Sequence, residues 1–118
     1  MSNLHNLKNL HLNYVNAGKL LEGFETYYAE NVVMQELGEE PRIGKDANRT
    51  VEINFIESIK EVHGGGILSF AEDAENNKTM VESWMDLTFA SGFRTKMQQV
   101  AVQTWENGLI VNEIFYHK

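Results

Sequence analysis

The chain has 118 residues, 42% of them hydrophobic and 23% charged, and its net charge is −7. This length fits a single domain, 1–118, with one core. The acidic balance disfavours partners such as nucleic acid or an anionic membrane, because both require a basic surface. The absence of cysteine excludes disulfides, thiol catalysis and Cys-ligated metal sites. No apolar run reaches the length of a membrane span and no signal peptide is present, so we expect a cytoplasmic domain.

The first half of the chain predicts three helices. The first has apolar residues at spacings of three and four and ends near Gly18, which suits the left-handed position after a helix. The second covers 20–31. The third opens at 44–46 and is expected to stop at 63–66, because the sequence there is His-Gly-Gly-Gly and three glycines do not sustain a helix.

The second half changes to a period of two, which is typical of strands. A short strand over 32–37 precedes the third helix. Asn107-Gly108 between two alternating runs is a strong hairpin signal. Four strands of a meander are predicted over 67–75, 78–90, 93–105 and 109–117. The predicted fold is α+β, with the helices gathered against one curved antiparallel sheet.

The turns predict which side chains share a face of this sheet. If Ser91-Gly92 and Asn107-Gly108 are both two-residue turns, Trp84, Gln99 and Tyr116 form one row across three strands, and register then fixes both faces. The opposite face also holds large apolar groups. Because a sheet with two partly apolar faces usually covers both, helices are expected on one face and a second subunit on the other.

Several short segments resemble the nuclear transport factor 2-like superfamily, especially its small SnoaL-like and ketosteroid-isomerase-like members. These segments are Asn16-Ala17-Gly18, 28–34, 38–44 and 107–111. The resemblance covers essentially the whole chain. It implies a cone-shaped sheet around a central pocket, closed by three helices, with a homodimer formed through the convex sheet face. It also implies that the face carrying Trp84 points into the pocket.

The resemblance allows a comparison with the ketosteroid isomerase site, which needs a carboxylate base, a tyrosine and a protonated aspartate. The base position falls on Gln35, the tyrosine position on His11 with Tyr14 one turn later, and the aspartate position on Ala101. Glutamine does not exchange a proton in this way, and alanine donates no hydrogen bond. Steroid isomerisation by that mechanism is therefore disfavoured. Similarity to cyclases, dehydratases and hydrolases of the superfamily leaves room for another acid–base pair.

Asp86 and His11 are the predicted catalytic residues. Asp86 would lie beside Trp84 on the pocket face, where an apolar wall raises the pKa of a carboxyl group. The alternative is an aspartate that meets solvent near a strand end. His11 lies on the apolar stripe of the first helix, where it is either a general acid or base or a buried histidine with one hydrogen bond.

The remaining predicted site residues are aromatic or amide side chains that could orient a ligand. They are Tyr14, Gln35, Trp84, Gln99, Gln103 and Tyr116. No set of residues has the spacing of a metal site, and the proposed chemistry requires no cofactor.

Two classes of function remain open. The first is a small-molecule-binding SnoaL-like domain that acts as an acid–base isomerase, cyclase, dehydratase or hydrolase on a small, partly apolar substrate. The second is a non-catalytic ligand-binding or dimerisation module, which Gln35 and Ala101 at the isomerase positions favour.

Overall fold

The structure is a computed structural model that describes residues 2–117. Its helices are α1 (Asn3–Leu10), α2 (Leu20–Tyr27) and α3 (Lys45–Ser58), and α1 continues as a π-helical turn over His11–Val15. Its strands are β1 (Tyr28–Glu36), β2 (Arg42–Ile43), β3 (Ile59–Asp73), β4 (Lys78–Phe89), β5 (Arg94–Glu106) and β6 (Leu109–His117), with a 3-10 turn over Ala74–Asn76.

The six strands form one curved sheet in the order β2-β1-β6-β5-β4-β3. The meander from β3 to β6 is antiparallel, as predicted, but β1 pairs with β6 in parallel, so the sheet is mixed. The helices pack against the concave face, and the α+β cone expected from the sequence is confirmed, with the sheet left unclosed. Within residues 2–117, no helix has both the length and the apolar character needed to cross a bilayer.

The His-Gly-Gly-Gly segment at 63–66 does not end a helix, and this prediction was wrong. Helix α3 ends at Ser58, and the segment lies inside β3. The indole of Trp84 lies over the neighbouring strand, where a Cβ atom on Gly64 or Gly66 would come within 3.1 or 3.2 Å of the ring. The glycines therefore provide space for a cross-strand aromatic ring.

The predicted register between β4 and β5 is wrong by one residue. The loop has three residues, 90–92, because Phe89 N donates to Phe93 O at 2.8 Å and Gly92 takes the left-handed φ of +91°. Met85 therefore pairs with Met97, and Asp86 pairs with Lys96. Since alternate side chains point to opposite faces, this single residue moves Trp84 and Asp86 to the convex face.

A β-bulge also changes the face of β6. The predicted Asn107-Gly108 turn is confirmed, with both residues at positive φ and Glu106 opposite Leu109. The pairing then shifts, because Trp105 faces Ile110 whereas Thr104 faces Asn112. The shift turns Glu113 and Phe115 inwards and turns Asn112, Ile114 and Tyr116 outwards.

Gly23 allows α2 to approach the first helical segment closely. A Cβ atom at this buried position would lie 2.7 Å from Leu10 Cδ1 and 2.8 Å from Tyr14 Cβ. This contact positions the π-helical turn that contains His11 and Tyr14. The apolar core below it consists of Leu7, Leu10, Phe24, Tyr28, Val32, Met34, Val81, Ala101, Trp105 and Ile110.

We expect Gly23→Ala to destabilise the protein by about 2 kcal/mol, because overpacking forces helices apart. The measurement is urea unfolding followed by far-UV circular dichroism. Glu22→Ala, an exposed change on the same helix, is the matched control. Equal stability of the two variants would contradict the close approach.

Candidate functional site

An open cavity of about 1430 Å³ lies between the concave face of the sheet and the helices. Its size exceeds that of most small-molecule pockets, which are about 300–1,000 Å³. Apolar and aromatic side chains form much of its wall. They include Leu21, Phe24, Val51, Phe55, Ile56, Ile67, Met85, Leu87, Met97 and Phe115.

Three of the predicted site residues border this cavity from the expected side. His11 and Tyr14 come from the π-helical turn, and Gln99 comes from the concave face of β5. Gln103 lies on the same face but is fully buried behind the cavity wall. The structure therefore brings together the predicted helix residues and one of the predicted amides.

Asp86 lies on the convex face, and the placement predicted for it is wrong. Arg94 binds its carboxylate with two hydrogen bonds, from Nε to Oδ1 at 3.1 Å and from a terminal nitrogen to Oδ2 at 3.0 Å. These bonds hold the pKa of Asp86 below its usual value, the opposite of the raised pKa predicted from the sequence. An aspartate that is ionised and paired with an arginine has no proton to donate at neutral pH, so it does not suit the role of a general acid.

The predicted faces are also wrong for three ligand-binding candidates, Trp84, Tyr116 and Gln35. Trp84 is among the residues that border the cavity, but the register places its indole on the convex side, with Lys96 Nζ 4.7 Å from the ring centroid. Tyr116 is 40% exposed on that same side. Gln35 donates to the Glu39 carbonyl at 2.9 Å and pairs with Ile114, so its neighbour Glu36 borders the cavity instead.

His11 is partly exposed as a residue, but both ring nitrogens are buried and its imidazole is neutral. Burial lowers its pKa to about 4. Neither ring nitrogen has a hydrogen-bond partner among residues 2–117, and the ring packs edge-on against Phe70 at 6.3 Å. An unsatisfied buried donor and acceptor are costly, so the fold tolerates His11 rather than being stabilised by it.

None of the six glutamates that border the cavity was predicted from the sequence, and burial raises the pKa of three of them, Glu36, Glu52 and Glu113. Burial raises the pKa of Glu113 to about 7 against two hydrogen bonds that lower it, and burial also raises the pKa of Glu52 to about 7. Burial raises the pKa of Glu36 as well, partly offset by Arg42. Carboxyl groups near neutrality can both give and accept protons.

A chain of hydrogen bonds fixes Glu113 in place. Tyr28 donates its hydroxyl hydrogen to Oε1 at 2.5 Å, and Gln103 donates from Nε2 to Oε2 at 2.7 Å. Thr79 Oγ1 in turn donates to Gln103 Oε1 at 2.8 Å and accepts from Trp105 Nε1 at 2.8 Å. Gln103 thus holds a carboxyl group in place and does not border the cavity.

A sequence signal existed for one of the missed carboxyl groups and not for another. Glu52 shares an inward stripe of α3 with Phe55 at a spacing of three, so its position was open to prediction. Glu113 changes face only through the bulge opposite Thr104, for which the sequence offers no glycine or proline marker. In the described part of the chain, no three histidine or acidic side chains group as a metal site.

The fold is that of nuclear transport factor 2-like proteins. A candidate SnoaL-like polyketide cyclase from Mesorhizobium loti is 26% identical, with 99% of this chain and 100% of that chain covered and a TM-score of 0.85. A candidate isomerase from Bacillus subtilis is 16% identical over 100% and 90% of the two chains, with a TM-score of 0.81. TerC, crystallised with polyporic acid, is 11% identical over 98% and 91%, with a TM-score of 0.76.

The family model for the SnoaL-like domain matches residues 8–117. The chain therefore belongs to the SnoaL-like domain family, as the sequence resemblance predicted. No curated protein gives a significant sequence match.

Glu52 makes stability depend on pH in a defined direction. Its pKa is about 7 in the fold, above the ordinary value of 4.5, so its contribution is fully present below pH 4.5 and is lost as pH rises through 7. The wild type loses stability between pH 5 and pH 8. In Glu52→Gln this loss should be smaller by up to about 3 kcal/mol.

Urea unfolding at the two pH values measures this difference. Glu57→Gln, an exposed change on the same helix, should leave the pH dependence as it is in the wild type. An unchanged pH dependence in Glu52→Gln would show that Glu52 is not buried with a raised pKa.

Proposed function

We propose that the cavity binds a small, partly apolar molecule and that Glu113 exchanges a proton with it, in an isomerisation, cyclisation, dehydration or hydrolysis. One observation carries this proposal: Glu113 is a buried carboxyl group with a pKa of about 7 that borders a large, mainly apolar cavity. A group whose pKa lies near the working pH is the most effective general acid or base.

The burial of Glu113 is compatible with both protonation states. Its two hydrogen-bond donors, Tyr28 and Gln103, stabilise the carboxylate, whereas burial and the nearby carboxyl groups of Glu36 and Glu52 favour the neutral acid. Burial outweighs the two hydrogen bonds and places the pKa of Glu113 at about 7, so a ligand can take or return a proton at little cost near neutral pH.

His11 is the second polar group of the proposed reaction. At neutral pH its ring is uncharged and offers one donor and one acceptor nitrogen. Both nitrogens lack a protein partner, so a small rotation of the ring toward the cavity would let a ligand satisfy one of them. In this proposal Glu113 takes the role that the sequence analysis gave to Asp86, and His11 keeps its role.

The structural neighbours agree with this class of function. A candidate cyclase and a candidate isomerase share the fold, and TerC was crystallised with a small molecule. The family membership supports small-molecule binding in general. A non-catalytic ligand-binding module is the second candidate, favoured by Ala101, which borders the cavity without a hydrogen-bonding side chain.

The first test uses proton exchange on a probe ketone. In deuterated buffer, the wild type should speed the α-deuteration of 2-tetralone, a small, partly apolar ketone, and proton NMR measures the rate. Glu113→Gln should slow the protein-dependent rate by about 100-fold or more, the usual contribution of a general acid or base.

Nile red fluorescence provides the binding control for this test. Both Glu113→Gln and the exposed control Glu57→Gln should bind Nile red as the wild type does. In both variants tetralone should displace the dye as it does in the wild type. If the wild type binds tetralone without speeding the exchange, acid–base catalysis is contradicted and the ligand-binding module is favoured. An unchanged exchange rate in Glu113→Gln would remove Glu113 from the reaction.

We also propose the homodimer expected from the sequence, and the convex face of the sheet supports it. The cytoplasmic location expected from the sequence is likewise a proposal. Val100 and Tyr116 pair across β5 and β6 and are 37% and 40% exposed. The partly buried Val102 and Ile114 lie beside them on the same face. This apolar patch can be covered by its own copy about a two-fold axis.

We expect Val100→Glu to convert a dimer to a monomer, because a desolvated charge would be placed in the centre of the patch. Light scattering after size-exclusion chromatography should give twice the mass of one chain for the wild type. Ile43→Glu, at an exposed apolar position outside the patch, should keep the wild-type mass. A monomeric wild type would contradict this interface.

A further inference from the structure

The hydrogen-bond chain behind the cavity has a fixed direction. The indole nitrogen of Trp105 can only donate, so Thr79 Oγ1 must accept from it. Thr79 has one hydroxyl hydrogen, which it gives to Gln103 Oε1 at 2.8 Å. The amide of Gln103 is therefore held with its nitrogen toward Glu113.

This direction makes the two oxygens of Glu113 unequal. Oε2 faces an N–H group of Gln103 at 2.7 Å and has no room for a hydrogen of its own along that contact. Oε1 faces the Tyr28 hydroxyl at 2.5 Å, and a hydroxyl oxygen accepts as well as donates. A proton gained by Glu113 is therefore placed on Oε1, between the two side chains.

Protonation at Oε1 has a consequence for Tyr28. Its oxygen then accepts from Glu113, so its own hydrogen must turn to another partner. Tyr28 borders the cavity, where its ring stacks on Phe24 with centroids 4.9 Å apart. A ligand in the cavity that reaches the Tyr28 oxygen would supply this other partner.

We propose that Tyr28 is a catalytic residue that carries the proton between Glu113 Oε1 and the ligand, and that Thr79 and Gln103 are positioning residues that confine the proton to that oxygen. The delivery step rests on the proposed function, because it needs a ligand that exchanges a proton. The confinement of the proton is a property of the folded protein and is tested without a ligand.

The proton transfer balances in both directions. When the ligand is the acid, its proton passes to the Tyr28 oxygen while the Tyr28 hydrogen passes to Glu113 Oε1. The ligand becomes the conjugate base, Tyr28 stays neutral, and Glu113 becomes a neutral acid. The reverse step protonates the ligand and restores the carboxylate. No electron is transferred and no co-reactant is needed.

Other charged groups act on Glu113 from the elements packed around it. Glu36 on β1 and Glu52 on α3 disfavour its ionised form. Arg42 on β2 favours the ionised forms of both of these carboxyl groups, and His117 on β6 does so for Glu36. Removing the charge of Glu52 should therefore lower the pH at which Glu113 titrates.

The first test follows the indole N–H signal of Trp105 by NMR as a function of pH. Hydrogen bonds in a chain polarise one another, so the signal should move with the same midpoint as the side-chain carboxyl carbon of Glu113. The chain contains two tryptophans, and Trp84→Phe leaves the Trp105 signal alone in the spectrum. Glu52→Gln should shift both midpoints together to lower pH.

Variants of the positioning residues separate the relay from simple burial. Thr79→Val removes the hydroxyl link at nearly constant volume, so the Trp105 signal should lose the Glu113 midpoint. Thr79→Ser keeps the hydroxyl, so the Trp105 signal should again show the Glu113 midpoint. Glu113→Gln should abolish this midpoint in every variant. If the carboxyl group titrates in the wild type while the Trp105 signal stays constant, the relay is overturned.

The second test concerns delivery through Tyr28. Tyr28→Phe removes one oxygen and should slow tetralone exchange by about 100-fold or more while Nile red binding is kept. Glu113 should titrate at higher pH in this variant, because the carboxylate loses a donor.

The outcomes of the second test separate the two proposals. If Tyr28→Phe keeps the wild-type exchange rate and Glu113→Gln does not, delivery through Tyr28 is wrong and the proposed function stands. If the wild type gives no exchange, the acid–base function and delivery both fail, and the NMR titration still decides the relay.

Discussion

Burying a carboxyl group requires donors for its oxygens, and meeting this requirement for Glu113 orders the polar interior of the cone. Tyr28 and Gln103 supply the donors, and they belong to β1 and β5, on either side of β6. Thr79 and Trp105 extend the same chain to β4 and the far end of β5. Because an unpaired buried acceptor is costly, the chain links four strands into one arrangement.

Burial makes the cavity less negative than the glutamates in its wall would be in water. The chain carries a net charge of −7, yet burial favours the neutral forms of Glu52, Glu113 and His11, and Arg42 lies near two of the cavity carboxyl groups. Burial thus produces an interior in which neutral groups hold exchangeable protons beside apolar walls. Such an interior suits a partly apolar ligand better than a strongly charged one.

The convex face has the opposite character. Asp86 and Arg94 form an ion pair in contact with solvent, and Lys96 lies over the Trp84 indole. The glycines of β3 provide room for that ring. Of the residues predicted to share the site face, those on β4 and β6 therefore lie on the outer surface, where exposed pairs contribute little to stability, whereas Gln99 and Gln103 on β5 lie inside.

Composition, periodicity and turn residues determined the class of fold, the meander, the Asn107-Gly108 hairpin and the inward position of His11, because these depend on local spacing. They also carried the resemblance that the family match confirmed. Tertiary structure alone decided which carboxyl groups face inwards. A third residue in the 90–92 loop moved Asp86 out, and one bulge opposite Thr104 brought Glu113 in. Strand side chains alternate with a period of two, so a one-residue change in a turn or bulge exchanges every side chain between the two faces, and local composition barely records it.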